Sequence, residues 1–309
     1  MELIVIDDHS NDGTAKMVSQ LGDARVKLLK LAQFIPANSK IVAYKKAALN
    51  LGIKQAKAAF IITTDADCIV PDRWLKSYAT AFLNGKEMVL GPVKIKGRKG
   101  FLTAFQDLDV AGTMLLTGAA VFAQHPILSN GANFGFSKHL FDVLGGYTGN
   151  ENQASGDDVF LLQKATQKYI DKIAFLPPSS ALVETMAAAT WSTLFWQRLR
   201  WAGKTSAYRD VYLIGFQGFV FLLNIFLWGG SLACLLGFIR TPVIVLVTWL
   251  IKLLADFFYL RFAVNLLGQK KSLSFFLPAF IAHSFYILCI GTLALLPIAS
   301  TWKGRPLKS

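Results

Sequence analysis

Cysteine and histidine are scarce in this sequence of 309 residues, which contains 3 cysteines and 4 histidines. The cysteines, Cys68, Cys234 and Cys289, lie far apart, and none forms part of a C-x-x-C pair. Their odd number and wide spacing predict neither a disulfide framework nor a zinc site. The N-terminal residues also lack the basic region, apolar core and cleavage site of a secretory signal peptide. We therefore expect the globular part of the protein to lie in the cytoplasm.

Acidic residues are also in the minority, with 19 Asp and Glu against 32 Lys and Arg and a net charge of +13. An excess of positive charge suits an anionic membrane surface and ligands that carry phosphate. Nucleic acid is a competing partner, but the sequence contains no nucleic-acid-binding motif. We therefore predict a lipid bilayer and a phosphate-bearing ligand as partners, and no nucleic acid.

Apolar residues make up 53% of the chain, but they are concentrated towards its C-terminus. Residues 1–188 alternate short apolar runs with turns and helical patterns, and this alternation predicts an α/β domain. Residues 189–210 are rich in tryptophan and arginine, which predicts an amphipathic helix at the membrane interface. Residues 211–309 predict two to three transmembrane helices followed by a short basic tail.

The transmembrane prediction rests on three apolar segments, Leu213 to Ile239, Val243 to Leu267 and Phe275 to Ala299. Each is near or above the roughly 20 residues that a helix needs to span a bilayer. Lys252 and Asp256 inside the second segment are spaced i to i+4. We therefore expect this pair to neutralise itself rather than to form an ion pathway.

The orientation follows from the basic residues between and after these segments. The Lys270-Lys271 loop should be cytoplasmic, because loops on that side carry an excess of Lys and Arg. Three complete crossings from a cytoplasmic domain would then leave the basic tail outside, against the same rule. One segment is therefore expected to be re-entrant or interfacial, and Pro278 and Pro297 make the third segment the best candidate.

An apolar run, Phe60 to Thr63, leads into Asp65 and Asp67. Its β-branched and aromatic residues predict a buried strand, and ligands of open α/β sheets bind at the carboxyl ends of strands. Alternate residues of an extended chain point the same way, so both carboxylates are expected to face one ligand. Two close carboxylates favour a divalent cation whose shell a phosphate completes, which predicts a metal and diphosphate site. An acidic turn without a ligand is the alternative, because this D-x-D pattern is common in loops.

Three further polar motifs accompany Asp65-Ala66-Asp67. Asp7-Asp8 ends the first predicted strand, Gly156-Asp157-Asp158 precedes a predicted helix, and Gln197-Arg-Leu-Arg-Trp201 lies just before the apolar segments. A helical wheel of residues 190–204 places Arg198 on one face and groups Gln197, Arg200, Trp201 and Lys204 on the opposite face. The polar face is expected to point at the globular domain.

In this order and spacing, the four motifs resemble those of the membrane-bound family 2 glycosyltransferases of GT-A fold. That group includes ceramide glucosyltransferases and the synthases of cellulose, hyaluronan and poly-N-acetylglucosamine. The resemblance implies a mixed α/β sheet with flanking helices and a C-terminal transmembrane region. It also implies an inverting hexosyltransferase that moves a sugar from a nucleotide sugar, with UDP as the carrier, to a lipid or glycan acceptor in cell-envelope biogenesis. The protein would be integral to the plasma membrane, or to the inner membrane of a bacterium.

The resemblance further implies roles for individual residues. Those implied to bind the nucleotide sugar are Asp7, Asp8, Lys45, Asp65 and Asn133. Asp65 and Asp67 would hold Mg²⁺ or Mn²⁺, and Asp158 stands at the position of the general base, beside Asp157. The residues implied to contact the diphosphate and the acceptor are Gln197, Arg198, Arg200 and Trp201. Helix capping by Asp157 and interfacial anchoring by Trp201 are the alternative roles.

The sequence departs from the family pattern in two places. Tyr44 precedes Lys45 where the family usually has glycine, and the strand and loop that the family places ahead of the Asp7-Asp8 strand are missing. This departure makes a truncated, non-catalytic nucleotide-sugar-binding membrane protein the alternative function. A transporter with a cytoplasmic domain ranks below both, because the apolar segments contain few charges that could line a pathway.

Overall fold

The structure, a computed structural model, describes residues 1–35, 43–150, 153, 155–203 and 210–296, and the backbone of 300–302 and 305–307. The strands are β1 (Leu3–Asp7), β2 (Val26–Lys30), β3 (Phe60–Thr63), β4 (Cys68–Ile69), β5 (Met88–Leu90), β6 (Val93–Lys96), β7 (Phe134–Ser137), β8 (Ile173–Phe175), β9 (Val183–Met186), β10 (Ser300–Trp302) and β11 (Arg305–Leu307). The helices are α1 (Thr14–Ser19), α2 (Tyr44–Gln55), α3 (Trp74–Leu83), α4 (Phe101–Phe122), α5 (Lys138–Val143), α6 (Asp157–Thr166), α7 (Pro178–Ala181), α8 (Trp191–Ala202), α9 (Val211–Leu235), α10 (Val243–Leu266) and α11 (Phe276–Ala294).

Parallel and antiparallel strands are mixed in the globular part, as the sequence predicts. The largest sheet has the order β3-β7-β5-β8, with β7 antiparallel to both of its neighbours and β8 parallel to β5. A second sheet has the order β4-β9-β6, and β1 and β2 form a parallel pair. The predicted α/β class with a mixed sheet is therefore confirmed.

The prediction of a buried strand at Phe60 was wrong. In the described part of the chain β3 lies at the end of its sheet, and Phe60 is 42% exposed although it stacks on Phe82 at 4.2 Å between ring centroids. An edge position leaves one side of the strand open. This openness brings the turn after β3 to the surface, where a ligand can reach it.

Aromatic side chains dominate the core between the largest sheet and the helices. Tyr78 and Phe136 are completely buried, and Phe105 is 2% exposed. Gly135 in β7 permits the close approach of α3, because a Cβ at this position would lie 2.6 Å from Cε1 of Tyr78. Such close packing holds the strand ends near the site in fixed positions.

The three apolar segments form helices that are long and apolar enough to cross a membrane: Val211–Leu235, Val243–Leu266 and Lys270–Ala294. The last includes a 3-10 turn, Lys270–Phe275, ahead of α11. Lys252 and Asp256 form the ion pair expected from their spacing.

Helix α4 connects the globular domain with the apolar helices. Tyr259 of α10 donates a hydrogen bond to the carbonyl oxygen of Gly112 at 2.7 Å. Gln269, just after α10, donates to the carbonyl oxygen of Ile95 at 3.3 Å and to the carboxylate of Asp107. Packing contacts therefore cross the domain boundary that the sequence predicts near residue 188.

The predicted interface helix, residues 189–210, corresponds in part to α8. Thr190 caps its first turn by accepting from the Thr193 amide at 3.1 Å, and Asp210 caps α9 by accepting from the Leu213 amide at 2.8 Å. Lys204, predicted to lie on the polar face, falls outside the described residues.

Candidate active site

The acidic motif after β3 forms a tight turn. The Cys68 amide donates to the carbonyl oxygen of Asp65 at 3.1 Å, so Ala66 and Asp67 occupy the corner of a turn and not an extended strand. The prediction that both carboxylates face one ligand assumed an extended chain, and that assumption was wrong. Asp65 is half-buried and Asp67 is exposed. The two carboxylates remain neighbours in an open turn at the edge of the sheet.

Lys45, in the first turn of α2, links two acidic motifs that are distant in the sequence. Its Nζ lies 2.9 Å from Oδ1 of Asp65 and 4.0 Å from Oδ2 of Asp157. Burial lowers the pKa of Lys45, but the carboxylates of Asp157, Asp65 and Asp158 outweigh that effect and hold the pKa above its usual value. Lys45 is therefore a fixed positive charge between the D-x-D turn and α6.

Gly131 brings the loop of residues 130–133 against the same charges. A Cβ on Gly131 would lie 3.3 Å from Oδ2 of Asp157, 3.5 Å from Nζ of Lys45 and 3.8 Å from Cγ of Asp158. Thr63, the last residue of β3, donates to the Gly131 carbonyl oxygen at 3.0 Å and so holds the loop beside the strand end. A side chain at this position would occupy space next to three charged groups.

The two aspartates of the Gly156-Asp157-Asp158 motif open helix α6. Gly156 takes the left-handed conformation, with a φ of 84°, and this conformation lets the chain turn into the helix. Asp157 is buried, and Oδ1 of Asp158 accepts from the Val159 amide at 2.8 Å. The amide groups of a helix N-terminus carry partial positive charge, so both side chains lie where negative charge is favoured.

Tyr147 is a neighbour of these aspartates that the sequence interpretation missed. Burial raises the pKa of its hydroxyl, and the charges of Asp157 and Asp158 raise it further. The tyrosine lies in a glycine-rich stretch, Gly145-Gly-Tyr-Thr-Gly149. An aromatic residue in such a stretch, ahead of an acidic motif, is the feature by which the sequence could have indicated it.

Helix α8 directs its two arginines to different places. Burial lowers the pKa of Arg200, while the carboxylates of Asp65 and Asp157 oppose that effect, so the Arg200 guanidinium lies within electrostatic reach of both. Arg198 is buried, and its guanidinium lies 2.6 Å from Asp109 of α4. The prediction that Arg198 contacts the diphosphate is therefore corrected: its charge is already paired away from the carboxylates around Lys45.

The other two residues of this motif are less enclosed. Trp201 is 36% exposed, and its ring centroid lies 4.3 Å from Cζ of Arg198. The helical wheel placed these two residues on opposite faces, which was wrong because positions three apart on a helix are neighbours. Gln197 is half-buried.

Asn133 was predicted to contact the nucleotide sugar, but the structure gives it a structural role. It is completely buried, and its Oδ1 accepts from Trp74 at 2.9 Å and from Tyr78 at 2.8 Å. Its Nδ2 donates to the carbonyl oxygens of Pro92 at 2.7 Å and Ala181 at 2.8 Å. Because all of these bonds are internal, Asn133 holds the loop in place and does not line the pocket.

The Asp7-Asp8 turn lies close to the start of α2. Asp7 accepts from the amide of Ser10 at 2.9 Å, and Asp8 lies 2.9 Å from Nδ1 of His9. The His9 ring is 6.1 Å from the ring of Tyr44, which directly precedes Lys45. The first strand thus ends on the same side of the molecule as Lys45 and its acidic neighbours Asp65 and Asp157.

Asp65 and Asp67 are suited to a divalent cation that takes its remaining ligands from a bound diphosphate. Their oxygens are accessible from solvent, and carboxylate oxygens are what Mg²⁺ and Mn²⁺ prefer. Within the residues described, no group of three or more His, Cys, Asp or Glu side chains could hold a metal by itself. The two aspartates would therefore supply only part of the coordination shell.

The described part of the chain thus combines a mixed sheet that has acidic groups at its strand ends with an arginine-bearing helix and three helices that are long and apolar enough to cross a membrane. Residues 1–142, a little under half of the chain, match the family described as Glycosyl transferase family 2.

Two curated relatives carry related names. The succinoglycan biosynthesis protein ExoO of Rhizobium meliloti (strain 1021) is 29% identical over 146 residues, which are 46% of this chain and 39% of ExoO. The probable glycosyltransferase YdaM of Bacillus subtilis (strain 168) is 25% identical over 207 residues, which are 65% of this chain and 47% of YdaM. The chain thus spans less than half the length of either relative.

Proposed function

We propose that the protein transfers a sugar, with inversion, from a nucleoside diphosphate sugar to an acceptor at the membrane. The observation that carries this proposal is the convergence of Lys45, Asp65, Asp157 and Asp158 around Gly131, with Arg200 in electrostatic reach. These residues come from distant parts of the chain. Their positively charged side chains would stabilise a leaving diphosphate, and their carboxylates would accept a proton.

The leaving diphosphate would lie between Lys45 and Arg200. Both side chains carry positive charge in a partly enclosed site, where an anion is stabilised more strongly than in water. Asp65 and Asp67 would hold Mg²⁺ or Mn²⁺, which would neutralise part of the charge on the diphosphate. Asp7 and Asp8 would contact the base, since their turn lies beside the start of α2.

Asp158 would act as the general base. Its carboxylate takes the proton of the acceptor hydroxyl while the acceptor oxygen bonds to the anomeric carbon of the sugar. The bond from that carbon to the diphosphate oxygen breaks, and its electron pair leaves with the nucleoside diphosphate. Attack from the side opposite to the leaving group inverts the anomeric centre. Asp157, which is buried, would keep Lys45 in place through the 4.0 Å ion pair between the Asp157 carboxylate and the Lys45 ammonium group.

The orientation in the membrane follows from the contacts of the loop between α10 and α11. Gln269 and Ser272 of this loop bond to Asp107 of the globular domain, so Lys270 and Lys271 lie on the side of that domain. The positive-inside rule then supports a cytoplasmic catalytic domain. Strand β10, which follows α11, lies beside α8, and this supports an interfacial or re-entrant course for α11.

Exposed Trp201 would offer a flat surface to a lipid or polysaccharide acceptor.

The test is release of nucleoside diphosphate from a panel of nucleotide sugars by the full chain purified in detergent with Mg²⁺ or Mn²⁺. One donor should release diphosphate in the presence of a lipid or glycan acceptor, and Asp67→Ala should abolish the release. Donor binding without release from any sugar would contradict the proposal and favour the non-catalytic alternative.

A further inference from the structure

Three helices meet at one carboxylate, only 17% exposed, that lies outside the proposed catalytic cluster. Oδ2 of Asp109 in α4 lies 2.6 Å from the guanidinium of Arg198 in α8, and Oδ1 lies 3.4 Å from Nε2 of His283 in α11. Arg198 is only 8% exposed. The carboxylate therefore joins the arginine motif of α8 to the core of the globular domain and to an apolar helix.

This contact lies on the side of α8 opposite to Arg200. Arg198 and Arg200 are two positions apart, which separates their directions by about 200° around the helix axis. When Arg198 is held against α4, Arg200 is consequently directed to the opposite side, and the charges of Asp65 and Asp157 act on its guanidinium.

The beginning of α8 is tied down independently of the ion pair. The amide of Ala188 donates to Oε1 of Gln106 at 2.8 Å, and Nε2 of Gln106 donates back to the Ala188 carbonyl oxygen at 3.1 Å. These bonds fix where α8 starts but not the rotation of its last turn. Among the charged contacts described for α8, the Arg198–Asp109 pair is the one that fixes that rotation.

We infer that Asp109 is a positioning residue for glycosyl transfer: through Arg198 it sets the rotation of α8 that presents Arg200 to the diphosphate, and His283 ties the same carboxylate to α11. This inference rests on the proposed function of Arg200. It makes the geometry of the site depend on a contact with the apolar helices, although Asp109 itself touches neither sugar nor diphosphate.

A double-mutant cycle tests whether Asp109 acts through Arg200. Asp109→Asn is expected to lower kcat/KM by about 10-fold or more, with the same division between kcat and donor KM as Arg200→Gln. On the Arg200→Gln background, Asp109→Asn should add less than about 2-fold, because the group that it positions is gone. Additive losses would overturn the inference.

Two further variants separate positioning from general damage. Asp107→Asn changes another buried carboxylate of α4, one that contacts Gln269 and Ser272 and not α8, and it should leave the effect of Arg200→Gln unchanged. Asp109→Glu keeps the carboxylate and should recover part of the lost activity. It also replaces Asp109→Asn in the cycle if the latter does not fold.

Hydrogen exchange provides a readout that needs no catalysis. The amides of residues 199–203 should exchange about 10-fold faster in Asp109→Asn than in wild type, while those of α6 remain unchanged. Unchanged exchange at the end of α8 would overturn the inference even if the enzyme is active. If the wild type transfers no sugar, the proposed function fails, and the exchange experiment still decides whether Asp109 positions α8.

Discussion

The protein contains two groups of carboxylates that differ in what they can still bind. Asp65 and Asp67 lie in an open turn, and the charge of Lys45 is shared between Asp65 and Asp157. Asp107 and Asp109 on α4 are enclosed, and each is paired within the protein. A carboxylate at a strand end that shares one lysine with another carboxylate can still accept a ligand. A carboxylate enclosed between helices already has its partners and stabilises the packing of those helices.

The largest effect on activity is expected when the proposed base, Asp158, is neutralised. Asp158→Asn should reduce transfer by about 100- to 10 000-fold, because the amide cannot take the acceptor proton. Donor binding should be nearly intact, since the proposed nucleotide contacts are made by other residues. Steady-state turnover and donor affinity measured on the same preparation would check both expectations, and turnover within a few-fold of wild type would contradict the assignment.

Removing a buried carboxylate should instead affect folding. Asp109→Ala leaves Arg198 buried without its partner, and loss of one member of a buried ion pair costs about 3–5 kcal/mol. Thermal unfolding in detergent should therefore show a large decrease in Tm. A Tm close to that of wild type would mean that Arg198 finds another partner or reaches solvent.

The second carboxylate of α4 should make stability depend on pH. Burial raises the pKa of Asp107 to about 6, although Ser272 and Gln269 donate hydrogen bonds to its carboxylate. In the unfolded chain this group ionises near pH 4, so between about pH 4 and 6 the folded state binds more protons and its stability falls as the pH rises. Asp107→Asn removes this effect, which amounts to about 2–3 kcal/mol at neutral pH.

The measurement compares the Tm of wild type and Asp107→Asn at pH 5 and pH 7.5. The Tm difference between variant and wild type should shift in favour of the variant at the higher pH. An equal difference at both pH values would show that Asp107 ionises normally in the folded protein.

The smallest effect on stability is expected in the open turn. Asp65→Asn breaks the 2.9 Å ion pair with Lys45, but the Asp65 side chain is 45% exposed, and such pairs contribute about 0–1 kcal/mol. The Tm should hardly change, whereas sugar transfer should be lost. A Tm decrease as large as that of Asp109→Ala would remove the distinction between the two groups of carboxylates.

Much of the fold follows from local patterns in the sequence. The apolar runs and their turn residues predict the order of strands and helices, and the three apolar segments form helices close to the predicted limits. The motifs around Lys45, Asp65 and Asp158 were also recognisable, because they combine charge with strand ends and helix starts.

Contacts between distant elements were not accessible to the same reasoning. The sequence places Arg198 and Arg200 in one motif, but only the packing of α4 decides which arginine is buried. Asn133 has the polarity of a ligand-binding residue, yet four internal hydrogen bonds occupy its amide. Periodicity reports the direction of a side chain relative to its own helix or strand and gives no information about the partner across the interface.

The packing of α4 also determines how this protein can be divided. The hydroxyl of Tyr259 bonds to the backbone of Gly112, and a Cβ on Gly112 would lie only 3.2 Å from Cδ2 of Leu260, so α10 lies directly on α4. A fragment that ends after α8 would expose this apolar surface to water. A chimera that keeps α4 but exchanges α10 and α11 would lose the matching contacts. An exchange of α10 and α11 between related proteins would therefore need the facing surface of α4 to be exchanged with them, and a soluble catalytic fragment would need its α4 surface redesigned.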